Sequence, residues 1–335
     1  MSSLLTALSG TRPDHLPVWF MRQAGRSLPE YRASRHDTSI LEACLEPELA
    51  AEITLQPVRR HRVDAAIFFS DIMTPLVLAG VDVDIEAGIG PVIAHPIRTA
   101  ADVDALVAHE LEDVSAIEAA VRLVVAELGD DTPLIGFAGA PFTLAAYLVE
   151  GRGSRDHLAA RSMLHADPTS WHRLLDWCAG ISGQFLTVQV DAGARAVQLF
   201  DSWAGSLTRA DYVSSVAPHS AKALGSVEGR VPRIHFGTGT RHILADMAGL
   251  GVEAMGIDYR TPLDEAAALL PGVPLQGNID PALLAAGWEP LEAHAVDVVE
   301  RGRAAPAHIV NLGHGVPPTT DPGVLTELVA FLHQL

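Results

Sequence analysis

The sequence predicts an α/β fold in which eight parallel strands and their connecting helices form one TIM-type (β/α)8 barrel across residues 1–335. Short apolar runs typical of buried strands alternate with longer stretches of helical periodicity, and this alternation favours parallel strands joined by helical crossovers. Eight such runs occur along the chain, which is the number that a barrel of this kind requires. No low-complexity linker or internal repeat divides the sequence, so we expect a single domain.

The predicted strands are residues 18–20, 65–69, 134–137, 196–200, 233–236, 254–257, 273–276 and 308–312. Helical patterns cover residues 47–62, 114–128, 141–150, 169–190, 209–224, 241–248, 263–270, 290–302 and 322–335. Asp167 and Asp321 each precede a proline, which is typical of a capped helix start. Residues 81–108 are predicted to be an insertion after the second strand.

A doubly wound sheet is the main alternative to the barrel. It favours a glycine-rich dinucleotide fingerprint after the first strand, whereas here that strand continues into residues 21–26, MRQAGR. In a TIM-type barrel the active site lies at the C-terminal ends of the strands. The predicted strand ends would then bring Arg22, Asp71, Ser202 and His314 to one rim.

The charge balance restricts the partners that this protein can have. The formal net charge is −18, and binding to nucleic acid or to an anionic membrane surface requires a positive field. A hydrophobic fraction of 48% and a charged fraction of 19% are typical of a globular protein with a sizeable core. We therefore expect neither nucleic acid nor a membrane as a partner.

The cysteines and the N-terminus both indicate the cytoplasm. Cys44 and Cys178 are the only cysteines, and neither belongs to a CxxC pair, which argues against a disulfide scaffold. The first residues show no basic segment followed by a long apolar one, so no signal peptide is predicted. Charged residues, proline and glycine also interrupt every apolar stretch well short of a membrane span.

Arg22 and Arg26 lie four residues apart in the loop that follows the first strand, with Gly25 between them. Guanidinium groups bind carboxylates and phosphates through two parallel hydrogen bonds, a geometry that lysine cannot reproduce. A glycine between them permits close approach to the backbone. The spacing alone leaves two interpretations open, an anion-binding loop and a solvated helix start.

Three stretches carry a more specific signal: residues 17–26, PVWFMRQAGR, continuing into 28–32, LPEYR; residues 136–147, GFAGAPFTLAAY; and residues 311–316, NLGHGV. Two shorter ones, FSDI at 69–72 and FDSWAG at 200–205, lie between them in the expected order. Together they resemble the uroporphyrinogen decarboxylase family along essentially the whole chain. Ser27 is a departure, because many relatives carry an aromatic residue there, and we expect it to alter packing at the pocket mouth.

The resemblance implies a carboxy-lyase of porphyrin and haem biosynthesis. Enzymes of this family remove the carboxyl groups from the four acetate side chains of uroporphyrinogen III, giving coproporphyrinogen III and carbon dioxide. They use no metal and no organic cofactor. The family also implies a homodimer.

The resemblance implies that the first loop contacts the substrate through Arg22, Gln23, Ala24, Gly25 and Arg26. The two arginines suit a substrate that carries eight carboxylates, and the three residues between them contribute partly through backbone groups.

Asp71, Tyr147, Ser202 and His314 are the other implied substrate-binding residues, and Asp71 is also the implied catalytic residue. An ionised carboxylate only accepts hydrogen bonds, so Asp71 suits the pyrrole N–H groups and stabilises the cation formed during decarboxylation. Without the resemblance, Asp71 would be explained as a helix N-cap, Tyr147 as an amphipathic-helix residue and Ser202 as a turn residue. The general acid stays open between Arg22, Tyr147, His314 and bound water.

Two other functions are alternatives to this one. Zinc-dependent methyltransferases of the same superfamily need a His-x-Cys pair and a later cysteine, but the corresponding residues 235–237 are HFG. A non-catalytic tetrapyrrole-binding protein is the other possibility, and an intact set of implied site residues argues against it.

Overall fold

The structure is a computed structural model that describes residues 2–35, 38–86 and 88–335. Its strands are β1 (Ala66–Ile67), β2 (Val83–Glu86), β3 (Gly90–Ile93), β4 (Leu134–Gly139), β5 (Ala196–Asp201), β6 (Arg233–Gly237), β7 (Ala254–Gly256), β8 (Leu275–Gln276) and β9 (His308–Ile309). Seven of them form one curled parallel sheet in the order β1-β4-β5-β6-β7-β8-β9, whereas β2 and β3 form a separate antiparallel hairpin. The predicted α/β barrel is thereby confirmed.

The first predicted strand, residues 18–20, is reduced to a single bridge that joins the two edges of this sheet. Val18 forms a parallel bridge with Val310, next to β9, and its carbonyl accepts a 2.8 Å hydrogen bond from the N–H of Asp64, next to β1. The ladder beside β9 does not extend from Val18 toward the N-terminus, because Pro17 has no N–H to donate. In addition, the Val18 N–H donates to the Asp64 carboxylate at 2.8 Å instead of to a strand.

Helices surround the sheet. They are α1 (Ser3–Leu8), α2 (Pro29–Ser34), α3 (Ile40–Leu45), α4 (Pro47–His61), α5 (Thr74–Leu78), α6 (Ala100–Leu106), α7 (Ser115–Glu127), α8 (Pro141–Glu150), α9 (Leu158–Ala166), α10 (Pro168–Ala192), α11 (Arg209–Ser215), α12 (Ala217–Gly225), α13 (Leu244–Ala248), α14 (Leu263–Leu269), α15 (Trp288–Gly302) and α16 (Pro322–Leu332). Short 3-10 helices cover Ala204–Ser206, Arg241–Ile243 and Pro281–Ala285.

Most predicted helices are confirmed to within a few residues. Asp167 and Asp321 cap α10 and α16, accepting hydrogen bonds from the N–H groups of Ser170 and Gly323. The prediction of one helix over residues 209–224 is wrong. The chain leaves helical geometry at Val216 and divides the segment into α11 and α12.

The predicted insertion, residues 81–108, contains the β2–β3 hairpin and α6. One residue of it, Ala87, lies outside the described residues. The hairpin is held to the rest of the protein by an antiparallel bridge between Val92 and Arg152.

The two cysteines are free and buried, as expected for a protein without a disulfide scaffold. Burial raises the pKa of the Cys44 thiol to about 12. In the part of the chain that the structure describes, no helix is both long enough and apolar enough to cross a membrane.

A chain of buried amides fills the middle of the barrel and connects the first strand to the opposite side of the sheet. The indole Nε1 of Trp19 donates to Gln276 Oε1 at 3.1 Å, and Gln276 Nε2 donates to Gln198 Oε1 at 2.9 Å. All three side chains are almost fully buried. Buried polar groups need such partners, so these bonds fix the start of the loop that follows Trp19.

Gln23 holds that loop against the sheet. Its side chain is fully buried; Oε1 accepts from the N–H of Phe20 at 3.0 Å, and Nε2 donates to the carbonyl of Ala65 at 3.0 Å. Both ends of the amide therefore bond to backbone groups that have no access to solvent.

Replacement of Gln23 by leucine should lower the free energy of unfolding by about 2–4 kcal/mol, because one buried N–H and one buried carbonyl lose their partner. Urea denaturation of Q23L and of the wild type measures this difference. Gln334→Leu is the matched control, since Gln334 is exposed and its amide bonds only to the carbonyl of Ala330. Equal unfolding midpoints for Q23L and Q334L would contradict the role given to Gln23.

Candidate active site

A cavity of about 310 Å³ opens at the C-terminal ends of the strands. Its walls come from the loop after the first strand, the segment after β1, the β2–β3 hairpin and the C-terminal loop. The lining residues are Met21, Arg22, Ala24, Gly25, Arg26, Ser27, Tyr31, Ile40, Ile67, Phe68, Phe69, Ser70, Asp71, Ile72, Ile85, Gly90, Pro91, Phe137, Phe200, Ser202, Phe236, His314, Gly315, Val316 and Pro318.

Three aromatic rings from neighbouring strands form the floor of this cavity. Phe137 and Phe200 meet edge to face with their centroids 5.4 Å apart, and Phe200 meets Phe236 at 5.9 Å. Sequence reasoning did not assign these residues to the site. A signal was present, however, because each is the last residue of its predicted strand, and neighbouring parallel strands bring such positions to one level.

Arg22 and Arg26 are exposed at the mouth of the cavity. The backbone of Arg22 is in the left-handed region, with φ of 61°. Its side chain passes directly over Gly315, where an added Cβ would lie 2.5 Å from Arg22 Cδ. Gly315 is therefore required for the arginine to reach the cavity.

The N-terminal motif at residues 17–26 and the C-terminal motif at residues 311–316 are neighbours in space. The N–H of Val316 donates to the carbonyl of Met21 at 2.8 Å, and the N–H of Met21 donates to Asn311 Oδ1 at 3.0 Å. These bonds hold His314 beside Arg22. The loop around His314 packs closely on its neighbour, since a Cβ at Gly313 would lie 2.2 Å from the backbone nitrogen of Tyr259.

The two mouth arginines differ from other surface arginines in their pairing. Arg60, for example, forms a two-point ion pair with Glu30 at 2.6 and 2.7 Å. Among the described residues, no carboxylate lies within 4.0 Å of Arg22 or Arg26. Two cations beside a cavity, with no carboxylate partner in the described part of the chain, are suited to binding an anionic ligand.

Arg32 supports the loop, and Arg35 packs on α2, the helix that follows it. Arg32 Nη1 donates to the carbonyls of Arg26 and Ser27 at 2.6 and 3.2 Å. The Arg35 guanidinium lies 5.3 Å above the ring of Tyr31.

Asp71 combines a local structural contact with a position in the cavity wall. Its Oδ1 accepts from the N–H of Met73 at 2.9 Å, and its own N–H donates to Thr74 Oγ1 at 3.2 Å. The turn before α5 therefore uses this carboxylate much as an N-cap would. Burial raises the pKa of Asp71, while the Met73 N–H and the positive charge of Arg22 lower it in part.

His314 has a defined tautomer in this arrangement. Its Nδ1 accepts a 2.7 Å hydrogen bond from the N–H of Gly315, so the proton of the neutral ring is on Nε2. Burial lowers the pKa of His314, and the nearby Arg22 and Arg260 lower it further. The ring is therefore suited to act as a neutral hydrogen-bond donor through Nε2.

Tyr147 lies behind the cavity wall. Its ring packs against Trp203 with the centroids 4.1 Å apart, and Trp203 stacks on His157 at 4.3 Å. Burial raises the pKa of Tyr147 to about 12, and the charge of Asp71 contributes to the same effect. The hydroxyl therefore keeps its proton at neutral pH.

Among the described residues, most of those implied by the resemblance meet at one cavity. Those that line it are Arg22, Ala24, Gly25, Arg26, Asp71, Ser202 and His314. The side chain of Gln23 and the ring of Tyr147 are not part of the lining. Ser27, the departure noted in the sequence, lies in the wall beside Arg26.

A buried polar cluster lies on the opposite side of the sheet, next to the helices. Asp201 and His235 are fully buried, with His235 Nε2 3.8 Å from Asp201 Oδ2. Asp201 Oδ1 also accepts from Thr143 Oγ1, on α8, at 3.1 Å. Successive side chains of a strand point to opposite faces, so His235 points away from a cavity that Phe236 lines. Residues 235–237 therefore do not supply the His-x-Cys zinc ligands that the methyltransferases need, since His235 faces away from the cavity and residue 237 is glycine.

Comparison with known proteins gives a family match along the whole chain. The family model described as uroporphyrinogen decarboxylase (URO-D) matches residues 1–335. A uroporphyrinogen decarboxylase of Arthrobacter sp. (strain FB24) is 61% identical over 336 residues, covering 100% of this chain and 97% of the relative. One from Leifsonia xyli subsp. xyli is 56% identical, covering 99% of this chain and 94% of the relative.

Solved structures show the same fold at low identity. A methyltransferase from Methanosarcina mazei has a TM-score of 0.83 at 20% identity and covers 99% of this chain and 97% of its own. A B12-independent methionine synthase from Shewanella sp. W3-18-1 has a TM-score of 0.58 at 11% identity, covering 98% of each chain. These similarities concern the fold alone. The full-length family match and the close relatives show that this chain belongs to the uroporphyrinogen decarboxylase family.

Proposed function

We propose that this chain is a carboxy-lyase that converts the four acetate side chains of uroporphyrinogen III to methyl groups, releasing carbon dioxide and giving coproporphyrinogen III. The names of its close relatives support this activity. The structural observation that carries it is one carboxylate, Asp71, in the wall of an aromatic-floored cavity whose mouth holds two arginines without a described carboxylate partner.

The cavity is complementary to a pyrrole macrocycle with carboxylates on its periphery. Phe137, Phe200 and Phe236 supply an apolar surface for the rings, and Arg22 and Arg26 supply planar donors for the carboxylates. A polyanion that approaches a protein of net charge −18 needs such a local region of positive charge.

Decarboxylation of a pyrrole acetate requires an acceptor for the electrons of the broken bond. Protonation of the adjacent pyrrole ring carbon provides one, because the resulting cation collects the two electrons when the bond to the carboxylate breaks. Carbon dioxide leaves, and the former acetate carbon becomes an exocyclic methylene group. A second proton adds to this carbon to form the methyl group, and the ring carbon then loses the proton that it gained first, which restores the neutral aromatic ring. Each cycle consumes one proton and releases one carbon dioxide.

Asp71 is proposed to stabilise the cation of this step. A fixed carboxylate close to the pyrrole nitrogens interacts more strongly with the cation than with the neutral ring, and only such a difference accelerates the reaction. Its contact with the Met73 N–H supports this role because it fixes the carboxylate before the substrate binds.

His314, Ser202 and Tyr147 are proposed to contact the substrate as donors. The neutral His314 ring offers Nε2–H, and the high pKa of Tyr147 keeps its hydroxyl protonated. Gln23, with both amide ends bonded to backbone groups, would act through the position of the loop and through its own backbone.

We further propose that the enzyme acts as a homodimer in the cytoplasm and needs neither a metal nor an organic cofactor. Size-exclusion chromatography with light scattering tests the dimer. Activity that survives extensive treatment with EDTA tests the independence from metals.

A tetrapyrrole-binding protein without activity would fill the same cavity. Incubation of the purified chain with uroporphyrinogen, followed by chromatography of the products by carboxyl number, separates the two functions. Tight binding without loss of carboxyl groups would refute the enzyme.

Replacement of Asp71 by asparagine should lower kcat by about 10²–10³-fold, the range observed when one preorganised stabilising group is removed. Asparagine retains an oxygen that can accept from Met73, so the unfolding midpoint should stay close to that of the wild type. Steady-state kinetics and urea denaturation measure the two effects. Asp130→Asn is the control, because Asp130 is exposed and lies outside the cavity lining. Wild-type turnover in D71N would refute the role of the charge.

Replacement of Arg26 by lysine should raise KM about tenfold with a much smaller effect on kcat, because a point charge replaces two parallel hydrogen bonds to a carboxylate. Arg59→Lys is the matched control, since Arg59 pairs with Glu52 on the outer surface. A fall in kcat with unchanged KM in R26K would contradict a binding role.

Replacement of Arg22 by glutamine should move the acid limb of kcat/KM to higher pH. Arg22 lowers the pKa of Asp71, so its removal raises that pKa, and the carboxylate becomes protonated at a higher pH. Profiles of kcat/KM against pH for the wild type, R22Q and the control R59Q measure the shift. An unchanged limb, or one at lower pH in R22Q, would show that Asp71 does not control it.

A further inference from the structure

A cluster of two histidines and one aspartate lies at the entry to the sheet, away from the cavity. His15 Nε2 is 2.9 Å from Asp64 Oδ1, and His333 Nε2 is 2.8 Å from Asp64 Oδ2. The ligand atoms that the three side chains offer all lie within 4.8 Å of one another. They come from the N-terminal segment, the approach to β1 and the residue after α16.

We propose that His15, Asp64 and His333 form a binding site for a divalent zinc ion. Two imidazole nitrogens and one carboxylate are a ligand set that zinc commonly takes in proteins, with water in the remaining position. In a tetrahedral site, zinc–ligand distances of about 2.0–2.2 Å separate neighbouring ligand atoms by about 3.3–3.6 Å. The nitrogen–oxygen distances of 2.8 and 2.9 Å would need to widen by less than about 1 Å.

Asp64 is held in place before a metal binds. Its Oδ2 accepts from the N–H of Val18 at 2.8 Å, and its own N–H donates to the Val18 carbonyl at 2.8 Å. A carboxylate oriented by a second group of this kind binds metal more tightly than a mobile one. Only 13% of the Asp64 side chain is exposed, whereas His15 is 52% exposed and can rotate to admit an ion.

The charges of the cluster favour a dication. An imidazole binds zinc through Nε2 when its ring proton is on Nδ1. The complex would carry one net positive charge in a protein of −18. A groove of about 480 Å³ next to His15 and Asp64 is lined also by Asp131 and Arg62 and gives room for a water ligand.

Bound zinc would join both ends of the described chain to the point where the sheet closes. The first strand is only a single bridge at Val18, and Asp64 holds the backbone of that residue from the β1 side. The ion would therefore stabilise the closure and not take part in the decarboxylation.

Isothermal titration of the tag-free, EDTA-treated chain with zinc at pH 7.5 tests the site. We expect one saturable site per chain. At free zinc about 100 times Kd, the Tm should rise by about 4 °C, given the entropy of unfolding of a chain of this length. Magnesium, which prefers oxygen ligands, should produce neither effect.

His15→Gln and His333→Gln identify the ligands. Glutamine can still donate to Asp64, so both variants should fold, but each should bind zinc at least tenfold more weakly and show a smaller zinc-dependent rise in Tm. His165→Gln is the control, because His165 faces a single carboxylate, Asp211, at 3.6 Å. Absence of a saturable zinc site in the wild type, or equal affinity in H15Q, H333Q and H165Q, would overturn the proposal.

Discussion

The closure of the sheet at Val18 is the constraint on which the site depends. Seven strands form the curled sheet, and three residues join its edges: Pro17 and Trp19 bond to Val310 on one side, and Val18 bonds to Asp64 on the other. Because this strand is so short, the chain leaves it almost at once and turns into the loop of Arg22 and Arg26. The buried amide of Gln23 then holds the loop to the strand that starts the sheet. The position of both guanidiniums is thus set by contacts that do not involve them.

Desolvation acts in a consistent way on two polar residues of the cavity wall, Asp71 and His314, and on Tyr147 behind it. Burial raises the pKa of Asp71 and lowers that of His314, and it raises the pKa of Tyr147 to about 12. The cavity therefore favours neutral groups, with Arg22 as the cation that partly restores the charge of Asp71. A site of this kind interacts strongly with a positive charge that develops on the substrate, since little water is present to screen it.

Sequence reasoning predicted the parts of the fold and site that depend on local pattern. The alternation of short apolar runs with helical stretches predicted the barrel. The residues at the ends of the strands predicted that Arg22, Asp71 and His314 lie at one rim, and all three line the cavity. It did not predict the aromatic floor, because one phenylalanine at a strand end looks like ordinary core until three strands are aligned. The contribution of Ile85 and Pro91 from the hairpin also had no local signal. Packing of an insertion over a barrel end depends on contacts distant in sequence.

The relation to the methyltransferase fold shows how little of the chemistry is set by the barrel itself. A TM-score of 0.83 at 20% identity leaves the backbone path nearly the same, and function depends on which side chains occupy the strand ends. In β6 the histidine at 235 faces the helices and the phenylalanine at 236 faces the cavity. Adjacent residues of one strand face opposite sides of the sheet, so His235 is directed to the helices and Phe236 contributes to the floor of the cavity. The chemistry of this cavity must then come from the loops. There Arg22 supplies a positive charge, Asp71 supplies a negative charge, and His314 supplies a neutral hydrogen-bond donor.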